Sequence, residues 1–177
     1  MEERKSVFKR GAECGVPVGV YMSIMSLCTL FSDKASVLSL LFLLMLLLGP
    51  VVIYRFQRQY FVQTNGMAEY SALWMQGILM VIYGALISGA VTLVVLQWVR
   101  PTLLYDQAQQ FLELCNQAPE MRAQLGTMPD MVEKIIENGL LPKPIEVVFS
   151  TFWFVTFSGS VLSAITAAFA GRKLNIP

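Results

Sequence analysis

Few residues in this sequence have types and spacing that could carry out chemistry. The chain contains no histidine, which removes the commonest general base and metal ligand together with every Ser-His or Cys-His nucleophile pair. Cys14, Cys28 and Cys115 lack the spacing of metal-binding cysteines, and we expect them to be small, buried apolar side chains. No glycine-rich phosphate-binding motif occurs. The sequence therefore predicts no catalytic residue, no metal site and no cofactor, and we do not expect an enzyme.

Glu13 is the one acidic residue inside what is otherwise a long apolar segment. An acid within a membrane span is a candidate functional residue, because ionising it in hydrocarbon is costly and coupling it to a proton or cation would offset that cost. Glu13 also follows Arg10 by three residues, about one helical turn. Three interpretations stay open: an interfacial ion pair with Arg10 or Lys9, a hydrogen bond between helices, and ion coupling. The spacing favours the ion pair.

Uncharged polar residues within the apolar segments are predicted to have structural roles. Gln76 and Gln97 lie near the two ends of the third apolar segment, where we expect them to contact water. Hydroxyl groups in a membrane helix commonly bond their own helix or a neighbour, and the last apolar segment has six such residues: Ser150, Thr151, Thr156, Ser158, Ser160 and Ser163.

Composition identifies the class of protein in which these residues must act. Of the 177 residues, 55% are hydrophobic and 14% are charged, whereas a soluble domain is about one quarter charged. Mean hydropathy is +0.58 and the net charge is +1. The four longest runs without a charged residue are 14–32, 35–54, 70–99 and 147–171, which together hold 94 residues. These values exclude a soluble domain, a disordered chain and a basic nucleic-acid-binding protein.

Each uncharged run is long enough to cross a membrane or nearly so. A bilayer core of about 30 Å needs about 20 apolar residues of helix, and the shortest run has 19. We therefore predict an all-α membrane protein that forms a single membrane domain over residues 1–177. Its four transmembrane helices are predicted at about 11–31, 35–54, 71–98 and 147–170.

The basic residues predict the orientation of these spans. Cytoplasmic loops of membrane proteins carry an excess of lysine and arginine, and four spans place both termini on the same side. Eight of the 13 basic residues fall on that side, so we expect cytoplasmic N- and C-termini. The eight are Arg4, Lys5, Lys9, Arg10, Arg55, Arg58, Arg172 and Lys173.

The connection at about 100–145 is then extracytoplasmic, and its pattern predicts two short amphipathic helices. Apolar residues recur at helical spacing over roughly 102–117 and 128–138, between breaks that contain proline or glycine. These helices could lie on the membrane surface or cap the bundle, and the alternative is a dedicated ligand-binding domain. We expect two apolar faces to turn toward the bundle, the membrane or a partner: Leu104, Phe111 and Leu112, and Val132, Ile135 and Ile136.

Small residues at four-residue spacing predict where the helices touch. Close backbone approach along such stripes drives association in lipid, where helices gain little from the hydrophobic effect. The pattern allows either a monomeric four-helix bundle or a homo-oligomer. The second segment instead has eight leucines between Leu38 and Leu48 and is predicted to face lipid. The predicted packing residues are Gly11, Gly15, Gly19 and Ser23; Gly84, Ser88 and Gly89; and Gly159, Ser163 and Ala167.

Two functions are compatible with this pattern. The favoured one is a non-enzymatic scaffold or accessory subunit of a membrane complex, whose partners are the lipid bilayer and either a second copy or another membrane protein. The alternative is a small ion-coupled transporter that uses Glu13. Inverted repeats are common in transporters, but here the first two spans form a tight hairpin and the last two do not. No nucleic-acid partner is expected.

The layout resembles a known family. The chain has a glycine-rich first span, Tyr54-Arg55 after the second, Gly66, a third span entered through Tyr70, Ala72 and Gly77, then Ser88-Gly89, Pro101 and a final Arg172-Lys173. It resembles an uncharacterised family of four-span integral membrane proteins of Bacteroidota. The resemblance implies a bacterial inner-membrane location, no assigned reaction, and a polyprenyl-phosphate glycosyltransferase as a partner. It also implies an acid after the Tyr-Arg pair, where this chain has Phe56 and Gln57.

Overall fold

A computed structural model of the protein describes residues 7–33 and 35–172. Four helices in this part of the chain are long and apolar enough to cross a membrane, as predicted. They are α1 (Val7–Leu30), α2 (Ser36–Gln63), α3 (Tyr70–Val94, followed by π-helical turns at Val95–Val99) and α7 (Pro144–Ala170). Four of the 13 basic residues lie outside the described residues, and three of them were used to predict the orientation: Arg4, Lys5 and Lys173, with Lys34 as the fourth.

The second helix is longer than predicted. α2 has 28 residues, about 42 Å of helix, and it continues through Arg55 and Arg58 into the segment predicted as a loop. A charged side chain limits the part of a helix that can lie in hydrocarbon. It does not end the helix, because the backbone beyond it can still form helical hydrogen bonds. The helix ends where Asn65 (φ 53°) and Gly66 (φ 73°) turn left-handed, and the Gly66 N–H bonds to the carbonyl of Phe61 at 2.9 Å. Such a left-handed turn is a common helix terminator.

The chain divides into two compact units, of which the first combines the chain up to Thr92 with the chain from Val148. Within it, α3 contacts each of the other three spanning helices. The larger of two apolar clusters draws on α1, α2 and α3, with Cys14, Val18, Ile53, Met80 and Val81 at its centre. α2 and α3 contribute residues to both apolar clusters of this unit.

Little of α2 is buried. Its buried residues are Met45, Ile53, Gln57, Tyr60 and Phe61, which all lie in the last two thirds of the helix. Seven of the eight leucines between Leu38 and Leu48 are exposed, and Leu38 is partly buried. The part of α2 that was predicted to face lipid is therefore exposed on this chain.

The second unit, Leu93–Val147, contains three helices where two were predicted. They are α4 (Leu103–Gln117), α5 (Pro119–Leu125) and α6 (Met128–Glu137). The additional helix, α5, begins at Pro119, where the sequence suggested only a break. Proline is well tolerated in the first turn of a helix, because the N–H that it lacks has no partner there. α4 packs against both α5 and α6.

Candidate functional site

The glycines of α1 bring its backbone against side chains of α3. At each of three successive stripe positions, a Cβ in place of the glycine hydrogen would lie within 2.8 Å of an α3 side-chain atom, closer than two carbon atoms can approach without a shift. The pairs are Gly11 with Leu79 Cβ at 2.7 Å, Gly15 with Tyr83 Cβ at 2.5 Å, and Gly19 with Ile87 Cβ at 2.8 Å.

The small residues of α3 and α7 pack in the same manner. A Cβ at Gly84 would lie 3.0 Å from Val18 Cγ1, and one at Gly159 would lie 2.5 Å from Val81 Cγ1. Ser26 and Ser88 also share a hydrogen bond between α1 and α3, with their hydroxyl oxygens 2.9 Å apart. Of the ten predicted packing residues, nine are buried and Gly89 is partly buried; the other nine are Gly11, Gly15, Gly19, Ser23, Gly84, Ser88, Gly159, Ser163 and Ala167.

This close packing encloses polar side chains in the first unit. Gln57, Gln76 and Ser163, here called the buried polar cluster, are each 0% exposed and come from α2, α3 and α7. The Gln57 side-chain amide donates to the backbone carbonyls of Leu73 at 3.2 Å and Ser163 at 3.1 Å. One amide group thus joins three helices.

Gly77 makes room for this arrangement. A Cβ at Gly77 would lie 2.5 Å from Gln57 Nε2, 2.6 Å from Ser163 Oγ and 2.8 Å from Ser163 Cβ. On the preceding residue, the Gln76 amide contacts the thiol of Cys14 at 3.9 Å. The cluster therefore reaches all four spanning helices.

Three oxygen atoms of the cluster have no hydrogen-bond partner within the described chain. They are Gln57 Oε1, Gln76 Oε1 and Ser163 Oγ. Because these atoms have no partner, the cluster can accept further hydrogen bonds. Each buried polar atom that stays unpaired lowers the stability of the fold by about 1–3 kcal/mol. Amide and hydroxyl groups can bind a polar group or join helices, but they are poor proton donors and acceptors for acid–base catalysis.

Two members of the cluster differ from the sequence prediction. The predicted contact of Gln76 with water is wrong, because the side chain is fully buried, whereas Gln97 is exposed. Gln57 was noted only as a departure from the expected acid. The spacing of residues on α2 could have predicted that Gln57 is buried. Ile53, Gln57 and Tyr60 are separated by four and three residues, so they lie on one face of the helix.

Glu13 lies outside this buried cluster. It is exposed on α1, and its carboxylate pairs with Arg10 at 3.8 Å, with side-chain exposures of 38% and 17%. Of the three interpretations, the geometry displays the ion pair with Arg10. A partly exposed pair of this kind contributes about 0–1 kcal/mol.

Side chains that could bind a metal ion are not clustered in the described part of the chain. Within residues 7–33 and 35–172, no three His, Cys, Asp or Glu side chains are grouped so that they could hold a metal ion. The three cysteines, Cys14, Cys28 and Cys115, are buried thiols that are not joined in disulfides.

Comparison with known proteins identifies a family. The family described as "Protein of unknown function (DUF4199)" matches residues 13–172. No curated protein and no solved structure matches this chain. Because the match covers most of the sequence, including all of the buried polar cluster, the chain belongs to this uncharacterised family.

Proposed function

We propose that this member of the DUF4199 family is a non-enzymatic scaffold or accessory subunit of a membrane complex. The observation that carries the proposal is the second unit, Leu93–Val147. It is a compact helical module placed in the chain between two helices that can span a membrane. Such a module suits the binding of a partner outside the bilayer.

Polar contacts hold the second unit together at Arg122. Its guanidinium donates to Asn116 Oδ1 at 2.6 Å and to Asp130 Oδ1 at 2.8 Å, and Glu133 lies 3.8 Å away. These contacts connect the end of α4, α5 and α6. The hydrogen bond to Asp130 raises the pKa of Arg122 above its ordinary, strongly basic value. The folded state thus favours the charged arginine, and because this contribution is lost only at strongly alkaline pH, the contacts keep their cation at physiological pH.

The same unit exposes apolar side chains. Leu114, Met128, Met131 and Leu140 are between 56% and 69% exposed. Methionine is flexible and polarisable, which suits contact surfaces that adapt to a partner. Met128 and Met131 are separated by one turn of α6 and would meet the same partner surface.

The first unit supports a structural role for the bundle. Its buried polar side chains are amides and hydroxyls, among which Gln57 joins three helices. Glu13, the candidate residue for ion coupling, is exposed and paired with Arg10. This geometry favours the scaffold over the ion-coupled transporter with Glu13. Under this proposal the protein lies in the inner membrane of a bacterium from the Bacteroidota. Its partner is a second copy or another membrane protein, such as the glycosyltransferase implied by the resemblance.

Purification from the source membrane in a mild detergent tests the proposal. We expect a stoichiometric partner chain or a homo-oligomer with the wild-type protein. The double substitution Met128→Asp and Met131→Asp should reduce the recovered partner about tenfold or more, as expected when apolar contacts are lost from an interface centre. Gln124→Asp, at an exposed position of α5, is the matched control and should retain the partner. A strictly monomeric wild-type protein with no co-purifying chain would contradict the scaffold.

A further inference from the structure

A groove runs along the first unit between α2 and α7. It has a volume of about 530 Å³, within the usual range of about 300–1,000 Å³ for small-molecule sites. Its walls are mostly apolar and include Val51 and Tyr54 from α2 and Ile165 and Phe169 from α7. Val51, Ile165 and Phe169 are about half exposed, at 47%, 53% and 52%, so the groove is open along its length.

Two arginines lie at one end of this groove. Arg58 and Arg172 both line it, and each is near the end of its helix. Arg58 Nη1 donates to the backbone carbonyls of Ala170 at 2.9 Å and Arg172 at 2.8 Å. Ala170 is the last residue of α7 and Arg172 lies just beyond it; at such a helix end, carbonyls lack helical partners and a cation is stabilised. α2 and α7 therefore reach this end together, with a guanidinium held in place.

Both cations retain capacity to bind an anion. A guanidinium has five N–H donors, and the two bonds of Arg58 use Nη1 only, so Nε and Nη2 remain. The guanidinium of Arg172 stacks over the Phe169 ring at 4.9 Å, and that of Arg58 lies 5.2 Å from the Phe61 ring. Among the described residues that line the groove, none is acidic. Within the described lining, no carboxylate therefore balances the positive charge of the two arginines.

We propose that the groove between α2 and α7 binds one anionic phospholipid. Its phosphate contacts Arg58 and Arg172, and an acyl chain follows the apolar walls toward Pro50. Guanidinium groups bind phosphate with paired, charge-assisted hydrogen bonds. From Arg58 to Pro50 the helix rises about 12 Å, which is the depth occupied by the glycerol and the first part of an acyl chain. Positive charge at one end and apolar walls beyond it match the two parts of such a lipid.

Native mass spectrometry of the full chain in a neutral detergent tests this site. The probes are phosphatidylglycerol and phosphatidylcholine with identical acyl chains, added at increasing concentration. We expect one phosphatidylglycerol to bind about tenfold more tightly than phosphatidylcholine, and Arg172→Gln to remove most of that preference, as the loss of a charge-assisted contact implies. Arg55→Gln removes an exposed arginine of the same helix outside the groove and should retain the preference.

A second pair of variants tests the apolar walls without changing charge. Ile165→Trp fills the groove and should weaken binding of both lipids. Val161→Trp, at a similarly exposed position of α7 outside the groove, should not. Equal binding of the two lipids by the wild-type protein would overturn the proposal. So would a dimer that Ile165→Trp dissociates while lipid binding is unchanged, because a second copy would then occupy the groove.

Discussion

Gln57 joins α2 to α3 and α7 through a single amide group. Hydrogen bonds between membrane helices contribute on average about 0.6 kcal/mol each and at most about 2 kcal/mol, so its two bonds add modestly to stability. Their larger effect is on specificity, because a different rotation of α2 would leave the amide in hydrocarbon without acceptors. The buried polar cluster therefore selects one arrangement of the bundle, and Gly77 provides the space for it.

The first prediction concerns a single glycine. Gly15→Ala should lower the free energy of unfolding by about 1–3 kcal/mol, as overpacking does, because the new Cβ would lie 2.5 Å from Tyr83 Cβ, an atom that cannot move without the α3 backbone. Ser39→Ala, at an exposed position of α2, is the control and should change the free energy of unfolding by no more than about 0.5 kcal/mol. Thermal unfolding in detergent measures both. Equal stability of the two variants would show that the α1–α3 contact is looser than described.

At the scale of elements, the two units are built on different physical principles. α1 and α3 meet along small residues, where close approach of the backbones replaces the hydrophobic effect that lipid cannot provide. α4, α5 and α6 are shorter and carry charged residues, including the contacts of Arg122 with Asp130 and Glu133. Leu103 and Cys115 of α4 are buried, at 1% and 0% exposed. These helices pack as those of a small water-exposed domain do.

The second prediction concerns α6. Ile135 is partly buried, whereas Met131 of the same helix is 59% exposed. Ile135→Asp should remove apolar burial of about 1.5 kcal/mol and speed hydrogen exchange across residues 103–137. Met131→Asp should leave that exchange close to the wild-type rate. If all three helices of the wild-type protein exchanged completely within seconds in nanodiscs, the segment would be a disordered connector and could not act as a docking module.

At the scale of the whole molecule, orientation decides which unit meets which partner. The proposed topology places the second unit outside the cytoplasm and the arginine end of the lipid groove at the cytoplasmic leaflet. That leaflet commonly carries anionic lipids and a negative surface potential. The proposed orientation therefore places the two arginines in the leaflet where anionic lipids, the proposed ligand, are common.

The third prediction tests this orientation by cysteine labelling. The native cysteines are buried, so they should react slowly and cannot report on topology. Met131→Cys and Gln63→Cys place thiols at exposed positions of α6 and of the end of α2. In intact spheroplasts, a membrane-impermeant maleimide should label the former, and the latter should react only after lysis. The opposite pattern would establish an inverted topology and place the arginine end of the groove in the outer leaflet.

The sequence by itself determined that four helices can cross a membrane, because long uncharged segments must satisfy their backbone hydrogen bonds internally in hydrocarbon. It also identified the packing stripes, since residues four apart share one helical face. Only the tertiary structure decided which faces meet. It placed Gln57 and Gln76 inside the bundle and Glu13 on its surface, and it brought Arg58 to Arg172 across 114 residues of sequence. Helical periodicity describes one helix at a time, whereas burial and ligand sites depend on which helices pack together.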